Sequence, residues 1–284
     1  MVTVLKEGFD ASGAASRVKM VCLDLDGTLC TSDKSIPKAN VAAIQRARAN
    51  GIVVAVASGR HPFNVKEVMD RLGLPFNAVC LSGALAVLEG RNVFTRPLSL
   101  EVVDAAIDVA RAHDAYISVA GAAFNYNCGK IDRGPEKKSD ALARYRCVDT
   151  YEELRAVSYR HEGEILKCSL HTMTDVAYAR LRESLSCLED TEVAQSDVCW
   201  ADVNALGCSK LEGVAALADA MGLDMSEVAA VGDDENDIRS LGGVGLGIAM
   251  GNAIASARAA AAIQVASNDD SGVAEAIDFI LSAR

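Results

Sequence analysis

Three short apolar runs, at residues 18–23, 52–57 and 78–81, alternate with two stretches whose apolar residues recur at helical spacing. Few folds satisfy that order. In the first helical stretch Val41, Ile44 and Ala47 repeat between Pro37 and Gly51, and in the second Val65, Val68, Met69 and Leu72 repeat between Pro62 and Gly73. Proline at a first helical position and glycine after the last turn act as start and stop signals. The run at 52–57 is continuous and largely β-branched, as a strand buried on both faces must be. The β-α-β-α-β order predicts right-handed crossovers and an α/β fold with a doubly wound, Rossmann-like parallel sheet. Ligands in such sheets bind beyond the carboxyl ends of the strands.

The pattern breaks near residue 87 and resumes near 207. Residues 17–86 and 207–284 are therefore expected to form one core, with 87–206 as an inserted α+β domain. Within the insert, strand-like pieces at 116–119, 123–126, 165–171 and 192–194 alternate with helical stretches at 99–113 and 174–188. Its charged stretch at 132–138 reads as a solvated loop. After 209 a helix to about Met221, strands at 228–231, 246–249 and 263–266, and a last helix carrying Val273, Ile277 and Ile280 complete the sheet. Residues 1–16, rich in Gly, Ala and Ser, are expected to be a flexible leader.

Two carboxylates follow the first strand, in Asp24-Leu25-Asp26-Gly27-Thr28. Burying carboxylates without partners is disfavoured by several kcal/mol or more, roughly, so such groups are paired, hydrogen-bonded or metal-bound. If the strand persists, Asp24 and Asp26 share a face, and Gly27 permits a sharp turn. A strand ending in an Asx-type turn accounts for these residues equally well. The same sheet edge receives Ser58 from the second strand and Gly232-Asp233-Asp234-Glu235-Asn236-Asp237 from a later one. Lys210 opens a nearby helix behind Ser209, whose spacing to Glu212 is that of a capping box. Taken singly, Ser58 reads as a helix cap and Lys210 as a solvated first-turn lysine.

Carboxylates converging from distant strands repel unless a hard cation neutralises them. Mg²⁺ takes one or two such ligands while keeping waters and a substrate phosphate, which points to phosphoryl transfer. The net charge of −11 argues against nucleic acid or an anionic membrane as partner. Nine cysteines without a Cys-x-x-Cys pair fit reduced thiols, and no run of about 18 apolar residues or signal-peptide core is present. A cytoplasmic protein is expected.

In these motifs the chain resembles the haloacid dehalogenase superfamily, and within it the Cof-type phosphatases with a large α/β (type IIB) cap. Asp24-Leu25-Asp26-Gly27-Thr28 is similar to the first motif, Ser58 in Ser58-Gly59-Arg60 to the second, Lys210 to the third and residues 232–237 to the fourth. Met250-Gly251-Asn252-Ala253 and Ser271-Gly272-Val273-Ala274 resemble the subgroup as well. The resemblance implies that Asp24 is the nucleophile and that Asp26 is first general acid and then base, its backbone carbonyl also binding metal. It implies Asp24, Asp26, Asp233 and Asp237 around Mg²⁺. Ser58 and Lys210 would hold phosphoryl oxygens, with Thr28, Gly59, Arg60 and Asn236 completing the phosphate and substrate contacts.

The implied function is a Mg²⁺-dependent phosphatase for a small, sugar phosphate-like metabolite, the insert acting as a cap that sets substrate specificity. A phosphotransferase or mutase, or a silent metabolite-binding module on the same fold, is the alternative. Dehalogenation needs no leaving-group acid such as Asp26. Ser82 stands where Asn is common, Asp202 where Glu is common, and Leu211 and Glu212 follow the lysine where Gly is usual. Asn252 is read as a helix N-cap first and a substrate neighbour second, Asp234 and Glu235 as solvent-facing or helix-terminal charges, and His61, His113, His161 and His171 as structural.

Overall fold

A computed structural model describes residues 2–130 and 145–284; the charged loop at 132–138 lies outside them. The chain divides into two compact units, one of residues 1–58, 68–94 and 209–284, the other of 59–67 and 95–208. In chain order the elements begin with β1 (Thr3–Val4), α1 (Ala11–Arg17), β2 (Met20–Leu23), α2 (Lys38–Ala49), β3 (Val53–Ala57), α3 (Pro62–Arg71), β4 (Ala78–Cys80), β5 (Leu85–Leu88) and β6 (Arg91–Thr95). The middle of the chain supplies α4 (Leu100–Ala112), β7 (Tyr116–Gly121), β8 (Asn125–Cys128), β9 (Tyr145–Cys147), α5 (Tyr151–Tyr159), β10 (Ile165–His171), α6 (Asp175–Leu185), β11 (Thr191–Asp197) and β12 (Trp200–Ala205). The last third supplies α7 (Lys210–Ala220), β13 (Val228–Gly232), α8 (Ile238–Gly243), β14 (Leu246–Ala249), α9 (Ala255–Ala260), β15 (Ile263–Gln264) and α10 (Gly272–Ser282).

The first unit is built on a sheet of order β1-β15-β14-β13-β2-β3-β4-β5-β6. From β15 to β4 every pairing is parallel, whereas β1 and β5 join antiparallel. All residues of β2, β13 and β14 are buried, which explains their uninterrupted apolar sequences. On one face Met20, Cys22, Ala55 and Ala57 pack against Val214, Leu217 and Ala218 of α7. The antiparallel β5 was not evident from the sequence, because its run follows β4 without a break long enough to read as a crossover.

One glycine fixes where α7 begins. Gly83 has φ +106°, and a Cβ there would meet the carbonyl oxygen of Ser209 at 1.9 Å. Only glycine permits both that backbone angle and that approach. Before it Ser82 is left-handed at φ 61°, a region that asparagine enters more readily than serine.

The expected flexible leader is instead partly built into the sheet layer. Thr3 and Val4 pair with Gln264 and Ile263, and α1 buries Ala11, Ala14 and Ala15. Asp10 caps that helix by accepting the Gly13 N–H at 2.8 Å. A small alanine face provides no large apolar periodicity, so the helix left little trace in the sequence.

In the second unit the sheet order is β11-β12-β10-β7-β8-β9. Its pairings are antiparallel except β8 with β9. One face carries Ile117, Val119, Cys168, Leu170, Ala201 and Val203 into an apolar core with residues of α4, α5 and α6. Residues of opposite parity carry polar side chains: register aligns Asp202, Ser169, Ser118 and Asn127 in one row across four strands. Most of these polar groups are buried, and the amide of Asn127 has no hydrogen-bond partner among the described residues. The strand β12, like the helix α5, was not expected from the sequence.

His61 is buried in this unit. Its Nδ1 accepts from the Phe63 N–H at 3.2 Å, and its Nε2 lies 3.0 Å from the carbonyl oxygens of both Gly121 and Phe124, so the neutral Nε2–H tautomer satisfies all three contacts. Burial lowers its pKa from 6.5 to about 4, although the two carbonyls act in the opposite direction. The unfolded chain then binds the extra proton first, and His61 contributes stability at pH 7 that disappears as pH falls from 6.5 through 4. The contribution is about 3 kcal/mol at most. Urea unfolding across that window is expected to give a shallower loss of stability with falling pH for His61→Gln than for the wild type; equal slopes would contradict the assignment.

Candidate active site

β2 ends at Leu23, so neither Asp24 nor Asp26 lies on it. The expectation that they share a strand face fails because the chain turns immediately. Asp24 is still tied to the sheet, its N–H donating to the Val231 carbonyl at 3.0 Å, while Leu29 and Cys30 donate back to Asp24 and Leu25 at 3.2 and 2.8 Å. That winding buries Asp24 and Leu25 and turns Asp26 outward. The Asp26 carboxylate accepts from Lys34 Nζ at 2.9 Å, with both side chains substantially exposed.

Gly27 makes the turn possible. It has φ +80°, and a Cβ there would fall 2.2 Å from Oδ2 of Asp233. The first carboxylate loop thus packs directly on the second. Thr28, fully buried, donates its hydroxyl to Asp233 Oδ1 at 2.6 Å.

Asp237 closes the loop after β13 on itself, its Oδ2 accepting the N–H groups of Asp233 and Asp234 at 3.1 and 3.2 Å. Asp234 caps the short 3₁₀ turn Glu235–Asp237, as expected of a helix-terminal charge, and Asn236 lies partly exposed on that turn. Ser209 caps α7 by accepting the Leu211 N–H at 3.2 Å, and its hydroxyl donates to Glu212. This fixes Lys210 in the first turn, 1% exposed, rather than solvated. Its Nζ donates to Oδ1 of Asp24 and Oδ1 of Asp237, each at 2.7 Å.

The oxygens of Asp24, Asp233 and Asp237 come within 4.8 Å of one another. Three carboxylates around one ammonium leave an excess of negative charge. Burial pushes Asp24 up from 3.8 to about 8; Lys210 opposes the shift, while Asp237 and Asp233 add to it. Burial also raises Asp233 to about 6, against the Thr28 hydrogen bond. For Lys210 burial acts downward, but the charges and hydrogen bonds of Asp237 and Asp24 outweigh it and the net shift is upward. A divalent cation is the group that such an oxygen-only, under-neutralised donor set fits. Among the described residues the Asp26 carboxylate is not part of the cluster.

Ser58 follows β3 and is buried, its N–H donating to Val79 at 2.9 Å and its carbonyl accepting from Ser82 at 3.3 Å. It therefore ends at the same sheet edge. Gly59 and Arg60 belong to the second unit. Asn252 is not an N-cap, since α9 starts three residues later. Its amide donates to the Gly27 carbonyl at 2.8 Å and approaches Asp233 Oδ2 at 3.4 Å, and its Oδ1 accepts from the Asn268 N–H at 3.0 Å. The signal for this residue was its position just past β14, another parallel strand ending at this edge.

Acidic loops at the ends of parallel β2 and β13 are thus joined by a buried lysine, and the span that holds them matches one hydrolase family. Residues 21–277 match the haloacid dehalogenase-like hydrolase family, and the chain belongs to it. Its sequence is similar to that of 5-amino-6-(5-phospho-D-ribitylamino)uracil phosphatase YcsE of Bacillus subtilis, with 27% identity over 263 residues covering 92% of this chain and 94% of the relative. A haloacid dehalogenase-like hydrolase from Bacteroides thetaiotaomicron is similar in structure, with a TM-score of 0.78 and 25% identity over 93% of this chain and 99% of that one. The subclass IIB sugar phosphatase BT4131 shares the fold at a TM-score of 0.79 and 22% identity, covering 94% of this chain and all 100% of its own.

Removing Lys210 strands buried carboxylates, and breaking such a pair costs about 3–5 kcal/mol. Lys210→Met is expected to lose that much in urea unfolding, and Lys210→Met with Asp237→Asn to lose less. Equal losses would show that charge imbalance is not the cause.

Proposed function

We propose that this hydrolase is a Mg²⁺-dependent phosphatase that hydrolyses a small phosphorylated metabolite, sugar phosphate-like, through an aspartyl-phosphate on Asp24. The observation that carries the reading is the buried Asp24–Lys210–Asp237 bridge beside Asp233. The relatives named as a ribitylaminouracil phosphatase and a sugar phosphatase support the substrate class.

In the first half-reaction a carboxylate oxygen of Asp24 attacks phosphorus, the bond to the leaving oxygen breaks, and Asp26 gives that oxygen its proton. In the second, Asp26 takes a proton from water as the water attacks phosphorus, releasing inorganic phosphate and regenerating Asp24. Splitting one hard displacement in two lowers each barrier. Asp26 lies on an exposed turn, where its carboxylate accepts from Lys34, whereas Asp24 is buried against Lys210. Lys210 and Ser58 hold phosphoryl oxygens where negative charge spreads in the transition state, with Gly59, Arg60 and Asn236 adding contacts, whereas Thr28, expected among them, is fully buried and spends its hydroxyl on Asp233. When bound, Mg²⁺ held by Asp24, Asp233, Asp237 and the Asp26 carbonyl would neutralise and orient those oxygens. Asn252 braces Asp233 and Gly27 rather than reacting.

Nine free thiols, seven of them buried, agree with a reducing cytoplasmic setting, and no helix among the described residues is long and apolar enough to cross a membrane.

A panel of phosphoesters with Mg²⁺ tests the reading by release of inorganic phosphate. Asp24→Asn is expected to lower turnover by at least about 10³-fold with the fold intact by circular dichroism. EDTA is expected to abolish turnover and added Mg²⁺ to restore it. Rearranged phosphoester without free phosphate would indicate a phosphotransferase, and wild-type release by Asp24→Asn would sink the mechanism.

A further inference from the structure

The three carboxylates of the acidic cluster are not held alike. Asp24 and Asp237 each give Oδ1 to the Lys210 ammonium, and Asp237 Oδ2 also accepts the N–H groups of Asp233 and Asp234. Asp233 takes its short hydrogen bond from a neutral group, the Thr28 hydroxyl, at 2.6 Å from Oδ1. The Asn252 amide stands 3.4 Å from Oδ2, too long to add much. Asp233 is only half-buried where the other two are buried, so packing alone fixes its carboxylate less.

Thr28 is fully buried, and valine, of the same shape, would fill its place without a polar atom to satisfy. A hydroxyl in such a position needs a partner, and Asp233 is that partner. β-Branching leaves the side chain few rotamers, so the direction of the hydroxyl follows from the backbone that carries it. That backbone is the tight winding after β2, in which Thr28 donates its N–H to the Leu25 carbonyl at 3.4 Å and Leu29 to the Asp24 carbonyl at 3.2 Å. The hydroxyl thus fixes the Asp233 carboxylate relative to the loop that carries Asp24. A lysine or arginine would hold the carboxylate too, but would cancel the charge that draws a cation. A hydroxyl orients Asp233 and leaves its charge in place.

We propose that Thr28 is a positioning residue for Asp233 as a metal ligand, and that it favours Mg²⁺ over Ca²⁺ at the acidic cluster. This rests on the Mg²⁺-binding role of Asp233 proposed above. Mg²⁺ demands near-ideal octahedral geometry, whereas Ca²⁺ accepts flexible arrangements of oxygens, so the orientation of one carboxylate matters more to the smaller ion. Hydrogen-bond partners of ligating groups carry about 10- to 100-fold of metal affinity.

Isothermal titration of metal-free protein with MgCl₂ and with CaCl₂ tests this without turnover. Thr28→Val keeps the shape and removes the hydroxyl, and its Mg²⁺ affinity is expected to fall at least about 10-fold. Its Ca²⁺ affinity is expected to fall by less. Thr28→Ser restores the hydroxyl and is expected to bind Mg²⁺ more nearly as the wild type does. Should Thr28→Val not fold by circular dichroism, Thr28→Ala gives the same comparison with no γ-atom to crowd Asp233.

Wild-type Mg²⁺ affinity in the variant without the hydroxyl would overturn the proposal. So would a Thr28→Ser protein as weak as Thr28→Val, or equal losses for the two cations, which a general loosening of the loop would produce. Asp233→Asn separates the positioning role from the metal assignment: wild-type Mg²⁺ affinity there removes Asp233 as a ligand and this proposal with it, whereas loss there beside wild-type affinity in Thr28→Val overturns the positioning role alone. The expected Thr28→Val loss in a protein that releases no phosphate from any ester would place the failure in the phosphatase reading and leave the role of Thr28 standing.

Discussion

The ammonium of Lys210 is the point on which the charged site depends. It lies in the first turn of α7, buried, and is shared between carboxylates that arrive from opposite ends of the sequence. Without it Asp24, Asp233 and Asp237 would meet as three anions in a low-dielectric setting. With it they remain one cation short, so the cluster is stable enough to fold and still favours a divalent ion. The backbone serves that lysine: Gly83 lets the chain pass against the Ser209 carbonyl, and the Ser209 cap sets the helix start. A residue that the sequence alone allowed to be a solvated surface charge is in fact the centre of the first unit's polar interior.

Much of this was legible because buried parallel strands leave a plain record. β10 and β14 lie where their apolar runs lie, and β2, β3 and β13 differ from theirs by a few residues at the ends. Carboxylates at strand ends were equally visible, since polar residues interrupting such runs demand a partner. Other features were not. Asp24 and Asp26 diverge, because the turn begins one residue before strand alternation could have aligned them. The helix α1 hides in alanine. Asn252 contacts two loops through tertiary packing, for which a single asparagine in a sequence carries no signature.

The second unit reverses the usual division of a half-buried sheet. One face is apolar and packed by helices; the other has its polar groups buried as well, through Ser118, Asn125, Asn127, Lys167, Asp202 and Asn204. Several satisfy each other, as Ser118 does by donating to Asn125 at 2.9 Å and Lys167 by pairing with Asp202. Because the pair is internally neutral, the row stays close to uncharged despite holding two ions. Buried polar networks of this kind fix geometry more than they add stability, and each unmatched member is costly.

The contact between Gly27 and Asp233, where no room exists for a methyl group, joins residues more than two hundred positions apart, as does the Thr28–Asp233 hydrogen bond with its separation of 205. During synthesis the first acidic loop leaves the ribosome long before its partner strand β13 exists. Until then β2 lacks one of its two neighbours, and Asp24 keeps its water. The cost of bringing the carboxylates together is met only when the last quarter of the chain arrives with both Lys210 and β13, so acidic cluster and counter-charge form in the same late event. Topologies whose pairings are this distant fold slowly. Until β13 has left the ribosome, the pairing with Val231 that ties Asp24 into the sheet cannot form.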